Sequence, residues 1–321
     1  MKITFINVGY GEAILIRHNG FTLLIDGGSA LDEEYAAPGR IRAADFLQKE
    51  GIGTIDLMIL THIHEDHVCG LVEVARTCRI KAFWSGYVRT APLPPVGCPA
   101  EGPRSLPLFV SAMNHYRTLM ELLTAQGTRC TELCGEDACW TLPGGLTLQC
   151  LGPDLQTAER FRSALDAAYQ TCDPALLAQL DASMNAASLI FRVTADGVSA
   201  LLPGDANQDV WARLDADPSL LRADVLKLGH HGQADTMRAE TIRAVAPQLV
   251  VTCTSSDRRY GSASDALYAR LTEALNRAPV YLFSDAAGGA PVHSALEIET
   301  APALQWVYRA EVCDHAKGAA K

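Results

Sequence analysis

The stretch His62-Ile63-His64-Glu65-Asp66-His67 places three of the chain's nine histidines and two acids within six consecutive positions, directly after the apolar run DLMIL. Imidazole nitrogen and carboxylate oxygen are the donors that a hard or borderline divalent cation accepts. Catalytic sites hold such an ion with about three protein ligands and leave room for water. In an extended segment residues two apart face the same way, so His62 and His64 can converge on one ion. Where the chain bends into a helix, Asp66 and His67 diverge from them and can reach a second ion. The plainer alternative is a solvated turn of histidines and acids with no metal.

Two ions side by side need a bridging carboxylate and closing ligands from elsewhere. Asp205 ends the run SALLPGD, and His230 and His231 follow DVLKLG. Asp26, in LLIDGG, reads either as a turn former or as a carboxylate that orients a ligand histidine. Taken alone, an Asp after Pro-Gly is a turn residue and a His pair says little. All of them fall at strand ends, as the first motif does, and that shared placement argues for one site. Neighbouring side chains leaving a strand point to opposite sides, so a single ion is not expected to take both His230 and His231.

The elements that must position these residues are legible in outline. KITFINV, EAILIRH and FTLLIDGG read as a strand meander, followed by a helical spacing over 40–49, a buried strand DLMILT and a helix starting just past the histidines. Residues 87–108, rich in Pro and Gly, read as a long loop of the kind that serves as a lid or interface. Helical pattern resumes from Met113 to Gln126, and an Ala-rich, acidic helical insertion covers 156–182. A second meander (ASLIFRVTAD, GVSALLPGD) and further strand-helix units follow, with helices near 236–246 and 264–276. Two halves of this kind predict an α+β chain folded as a four-layered αββα sandwich with its sheets face to face, a single domain over 1–312 with a C-terminal tail over 313–321.

Composition bounds the function. With 321 residues, 48% of them hydrophobic, the chain can bury a large core. No apolar run approaches the roughly 20 residues of a membrane span, and the N-terminus lacks a secretory pattern, so a cytoplasmic protein without membrane partners is expected. Ten scattered cysteines suit reduced thiols better than a disulfide framework, and the run Cys130, Cys134, Cys139 lacks the tight pairs of a zinc site. A formal charge of −10 argues against strong binding of long DNA, because phosphate contacts need clustered Lys and Arg.

THIHEDHVCGL, LIDGG, LLPGD and VLKLGHHG together resemble the metallo-β-lactamase superfamily, and their order over roughly residues 3–285 resembles the hydrolase domain of ComEC-type competence proteins. The resemblance implies the αββα fold, two divalent metal ions, zinc or manganese, and a hydroxide nucleophile. Carried over by position, His62 and His64 hold the first ion, Asp66, His67 and His231 the second, and Asp205 bridges them. His230 is left to touch a substrate oxygen or to protonate the leaving group, which makes Asp66 and His230 the expected catalytic residues. Several positions depart from the pattern. The histidine that many relatives supply between the first motif and the bridging Asp has no counterpart but His115, which reads as a helix-surface residue, so water or Asn185 is expected near the first ion. Gly9-Tyr10-Gly11-Glu12 stands where relatives read Gly-Gln-Gly-Asp, and Ser262 where they carry a histidine.

The expected activity is hydrolysis of a phosphodiester or related phosphoester. The substrate would be a small phosphoester or a short nucleic acid. Hydrolysis of a carboxylic ester, lactone or thioester on the same centre is the alternative, and a non-catalytic metal-binding module the contrasting one.

Overall fold

Along the strand Leu57–Leu60 alternate side chains enter different cores: Leu57 and Ile59 pack between two sheets, Met58 and Leu60 beneath helices. Across the inter-sheet core, Phe191 and Val193 meet them from the second sheet, while Ile190, Leu201 and Leu226 face helices on the far side. A strand covered on both faces must be apolar throughout, which is why DLMIL and SALLPG read as unbroken runs. Helix, sheet, sheet, helix is the resulting layer order, the expected four-layered sandwich.

The computed structural model describes residues 1–135, 139–214 and 218–310. The expected tail at 313–321 lies outside the described residues. In the first sheet the strands run Gln305–Arg309, Ala295–Glu299, Lys2–Ile6, Ile14–His18, Phe21–Ile25, Leu57–Leu60, Ala82–Ser85, Arg129–Glu132. In the second the order is Val280–Phe283, Leu249–Thr252, Val225–Lys227, Val198–Leu202, Ile190–Ala195, Thr147–Gly152, Cys139–Thr141. Each sheet changes from antiparallel to parallel pairing: Phe21–Ile25 pairs parallel with Leu57–Leu60, and Val198–Leu202 parallel with Val225–Lys227. At these parallel strands the chain leaves toward helices, and there the ligand-rich turns sit. No helix among the described residues is long and apolar enough to cross a membrane.

Three helical segments frame the site. Glu65–Thr77 begins directly after His64, whose extended backbone (φ −121°, ψ 159°) ends the strand exit, and Glu65 and Asp66 place acids at its positive end. The helix expected from Met113 instead starts at Leu106. Pro107 lies in its first turn, where a missing N–H costs nothing, so the intervening loop is shorter than 87–108. The insertion forms two helices, Leu155–Thr171 and Pro174–Ser183, each capped by an aspartate: Asp154 accepts from the Thr157 N–H and Asp173 from the Leu176 N–H, both at 2.8 Å. The second of them delivers Asp181 to the wall of the site, and the 3-10 turn Met184–Ala187 that follows it delivers Asn185.

Candidate metal centre

Gly27 and Gly70 bring the first two pieces together. A Cβ on Gly70 would lie 1.9 Å from the Gly27 carbonyl oxygen, so only glycine allows the helix Glu65–Thr77 to press against the loop that follows Phe21–Ile25. That contact sets Asp26 beneath His67. The Asp26 carboxylate accepts from the Thr61 N–H (2.9 Å), the Thr61 hydroxyl (2.7 Å) and His67 Nδ1 (2.8 Å). With its Nδ1 proton fixed on Asp26, His67 presents Nε2.

Asp66, His67, Asp205 and His231 form one group whose ligating atoms all lie within 4.8 Å of one another. His231 Nε2 is 3.0 Å from Asp66 Oδ2 and 3.1 Å from Asp205 Oδ2, while His67 Nε2 is 3.5 Å from Asp205 Oδ2 and 3.7 Å from Asp66 Oδ2. His231 Nδ1 donates to the Cys253 carbonyl (2.8 Å), which aims Nε2 inward as Asp26 does for His67. Both Nε2 atoms are buried and without a hydrogen bond of good geometry. Two carboxylates converging on two imidazole Nε2 atoms are the donor set of a divalent cation, so these residues fit one.

The charges agree. Burial opposes a proton on His231, yet Asp205 and then Asp66 raise its pKa from the ordinary 6.5 to about 9. His67 is likewise lifted well above the ordinary value, burial notwithstanding, by Asp205, Asp66 and Asp26. Asp205 is held well below the usual carboxylate range against its own burial, by His231, His67 and Lys227. Without metal, protons on the two histidines stand in for the missing positive charge.

His62 and His64 lie beside this group, the His62 ring 4.2 Å from that of His67 between centroids, and His62 Nε2 faces His64 Nδ1 at 3.0 Å. Their tautomers follow from their neighbours. The single Thr61 hydroxyl proton goes to Asp26, so His62 Nδ1, 3.0 Å from that oxygen, carries a proton and its Nε2 is bare. Among the described residues His64 Nε2 faces oxygens of Asp181, the carbonyl at 3.2 Å and the carboxylate at 3.7 Å, so it carries a proton and Nδ1 is bare. A second proton on His64 is disfavoured, chiefly by burial. Two lone pairs thus face each other, an arrangement that a cation between them satisfies.

The remaining expected residues fall as follows. His230 and His231 separate in direction, but not by strand alternation: both adopt left-handed backbone (φ 44° and 51°) in a tight turn after the strand. His231 enters the group, whereas His230 contacts Asp235 (3.1 Å) and Gln233 (3.1 Å) and lines the cavity above it. Asn185 lines the same cavity, its buried Oδ1 without a partner. His115 sits within the helix Leu106–Ala125 with Nδ1 bonded to the Ser111 carbonyl (2.8 Å). The cavity is about 830 Å³, bounded also by Tyr10, Glu34, Arg104, Phe109, Arg259 and Tyr260.

Several contributors escaped the sequence reading. Tyr10 packs against His231 with ring centroids 4.3 Å apart and the planes tilted by 39°, and meets Tyr260 edge-on at 5.0 Å. Arg259 pairs with Glu34 and Asp257, and Glu34 also receives the Tyr10 N–H. Glu12 and Lys227, both fully buried, form an ion pair under Asp205. The signals were a lone lysine in the apolar run DVLKLG and the departure at Gly9-Tyr10-Gly11-Glu12.

Comparison with known proteins matches residues 6–129 to the family model of the metallo-beta-lactamase superfamily. Residues 6–129 are thus similar to the metallo-beta-lactamase superfamily domain. ComE operon protein 3 of Bacillus subtilis (strain 168) is 23% identical over 270 residues, which is 81% of this chain and 29% of that relative's length. The chain therefore spans less than a third of it. Among solved structures, the metallo-beta-lactamase fold protein YhfI of Bacillus subtilis aligns over 88% of this chain and 95% of its own (14% identity, TM-score 0.45). Human tRNase Z, short form, aligns over 88% and 92% (15% identity, TM-score 0.39). Superfamily members are mostly metal-dependent hydrolases, and the group described above is a candidate metal site of that kind.

Proposed function

We propose that the protein hydrolyses a phosphodiester or related phosphoester at a centre of two divalent cations, zinc or manganese. Asp66, His67 and His231 would hold one cation, His62 and His64 the other, with Asp205 between them. The observation that carries this reading is the pair of buried Nε2 atoms of His67 and His231, both turned toward the carboxylates of Asp66 and Asp205. When bound, two such cations activate water near neutral pH and neutralise charge on phosphoryl oxygens.

The protein's own residues supply binding and orientation. Asp26 and the Cys253 carbonyl fix the two histidine rings, so neither has to reorganise on loading. Arg104 lines the cavity and offers cationic contact to an anionic substrate in a chain that is acidic overall, while Arg259 on the same wall is already paired with Glu34 and Asp257. His230, on the cavity wall, is placed to touch a substrate oxygen or to give the leaving group a proton. A cavity of about 830 Å³ suits a small phosphoester or the end of a short nucleic acid, within the usual range of small-molecule sites.

Chromogenic phosphodiester, phosphomonoester, carboxylic ester, lactone and thioester substrates, each assayed with zinc and with manganese, test the proposal. Turnover confined to phosphoesters supports it; turnover of the acyl substrates alone replaces it with acyl hydrolysis on the same centre. Long DNA is expected to bind weakly and with a shallow salt slope, and a steep slope would replace small phosphoesters by polymers.

A further inference from the structure

Lys227 ends the central strand Val225–Lys227 and, two residues from Val225, projects into the inter-sheet space with no exposed surface. Its Nζ donates to the Gly204 carbonyl (2.8 Å), pairs with Glu12 and stands 3.5 Å from Asp205 Oδ1. Glu12 comes from the turn between the strands Lys2–Ile6 and Ile14–His18 of the other sheet, and its backbone is stitched to the site: its N–H donates to the Asp66 carbonyl (3.1 Å) and its carbonyl accepts from Gly28 (2.9 Å). The ammonium therefore touches one oxygen of Asp205 while the other, Oδ2, faces His231 and His67.

We propose that Lys227, held in place by Glu12, is a positioning residue for metal binding, fixing the Asp205 carboxylate so that Oδ1 faces the ammonium and Oδ2 faces the metal centre. Stability alone does not account for such a pair. Two charges taken out of water seldom gain more than apolar residues of similar volume would, so a fully buried pair needs another reason. Here the reason is geometric: Asp205 Oδ1 and Glu12 Oε2 are buried and lack hydrogen bonds of good geometry, and Lys227 is a cation that faces both. Removing it frees Asp205 to rotate. Removing Glu12 alone lets the ammonium close on Asp205 and compete with metal for the carboxylate.

The inference rests on the metal-centre reading, and the test separates the two. Wild type, Glu12→Gln and Glu12→Gln/Lys227→Met are stripped with chelator, then titrated with zinc in competition with a chromophoric chelator. Visible absorption of the cobalt(II)-loaded proteins and thermal melting are recorded alongside. The double variant removes the two charges of the pair together, so neither is left facing the other's gap, and it is expected to melt within a few degrees of wild type while binding zinc about 10- to 100-fold more weakly, with an altered cobalt spectrum. Glu12→Gln is expected to weaken zinc binding about tenfold, and it carries the test by itself should the double variant fail to fold. Wild-type zinc affinity and an unchanged cobalt spectrum in the folded variants would make the pair a mere tie between sheets and overturn the inference alone. A wild-type protein that takes up no zinc would overturn the metal reading and the inference with it.

Discussion

Asp66 Oδ2 lies 3.0 Å from His231 Nε2. The contact joins the first turn of a helix that leaves one sheet to the left-handed turn that ends a strand of the other. Neither half of the chain holds this constellation by itself, so it exists only once the sheets have packed. Metal that binds it binds the folded state and stabilises it by mass action.

In the metal-free protein the charged imidazolium of His231, with a pKa raised from 6.5 to about 9, contributes stability that is complete below 6.5 and lost as pH rises through 9. The melting temperature of chelated protein is therefore expected to fall across that window, and metal-loaded protein to show no such fall. Metal uptake at pH 7 to 8 should release protons, since a ligating nitrogen must be bare. Calorimetry in buffers of different ionisation enthalpy measures the release; uptake without it would contradict the assignment of His231 as a ligand.

The paired histidines are expected to separate cleanly. His231→Ala removes a nitrogen from the group of four and should lower bound metal, whereas His230→Ala, with its contacts to Asp235 and Gln233, should leave metal in place and reduce turnover. Metal content of the two purified variants decides the matter, and loss from the 230 variant with retention in the 231 variant would exchange their roles.

How much of this was legible in the sequence follows from where each partner lies. His62, His64, Asp66 and His67 are neighbours in sequence because one strand exit carries them, and the apolar runs before Asp205 and His231 mark two more strand ends. Lys227 and Glu12 were not readable in the same way: a single charge in DVLKLG looks like a rim residue until the opposing sheet supplies its partner. The separation of His230 from His231 was expected from strand alternation and comes instead from two consecutive left-handed residues, a conformation that no side-chain pattern announces. Asp181 reaches His64 from an insertion whose helices are legible but whose docking depends on packing.

Away from the ligands, Asp285 accepts from the Ser256 and Ala286 N–H groups (2.7 Å each), Asn7 (3.0 Å) and Arg40 (3.0 Å). Burial opposes its charge, yet these donors hold it below the usual carboxylate value. A depressed carboxylate contributes stability above its unfolded pKa and loses it as pH falls through the folded one. Asp285→Asn is thus expected to cost about 2 kcal/mol at neutral pH, with the difference from wild type shrinking below about pH 4. Denaturant unfolding of both proteins at pH 7 and pH 3.5 measures it, and an equal difference at the two pH values would contradict the role given to its charge.

Turnover with and without metal decides whether these residues form a hydrolytic centre. Chelated wild type should be inactive on a chromogenic phosphodiester and recover on adding zinc or manganese, while Asp205→Asn under the same metal should remain at least about two orders of magnitude slower. Full activity in the chelated protein, or near-normal turnover by Asp205→Asn, would contradict the account.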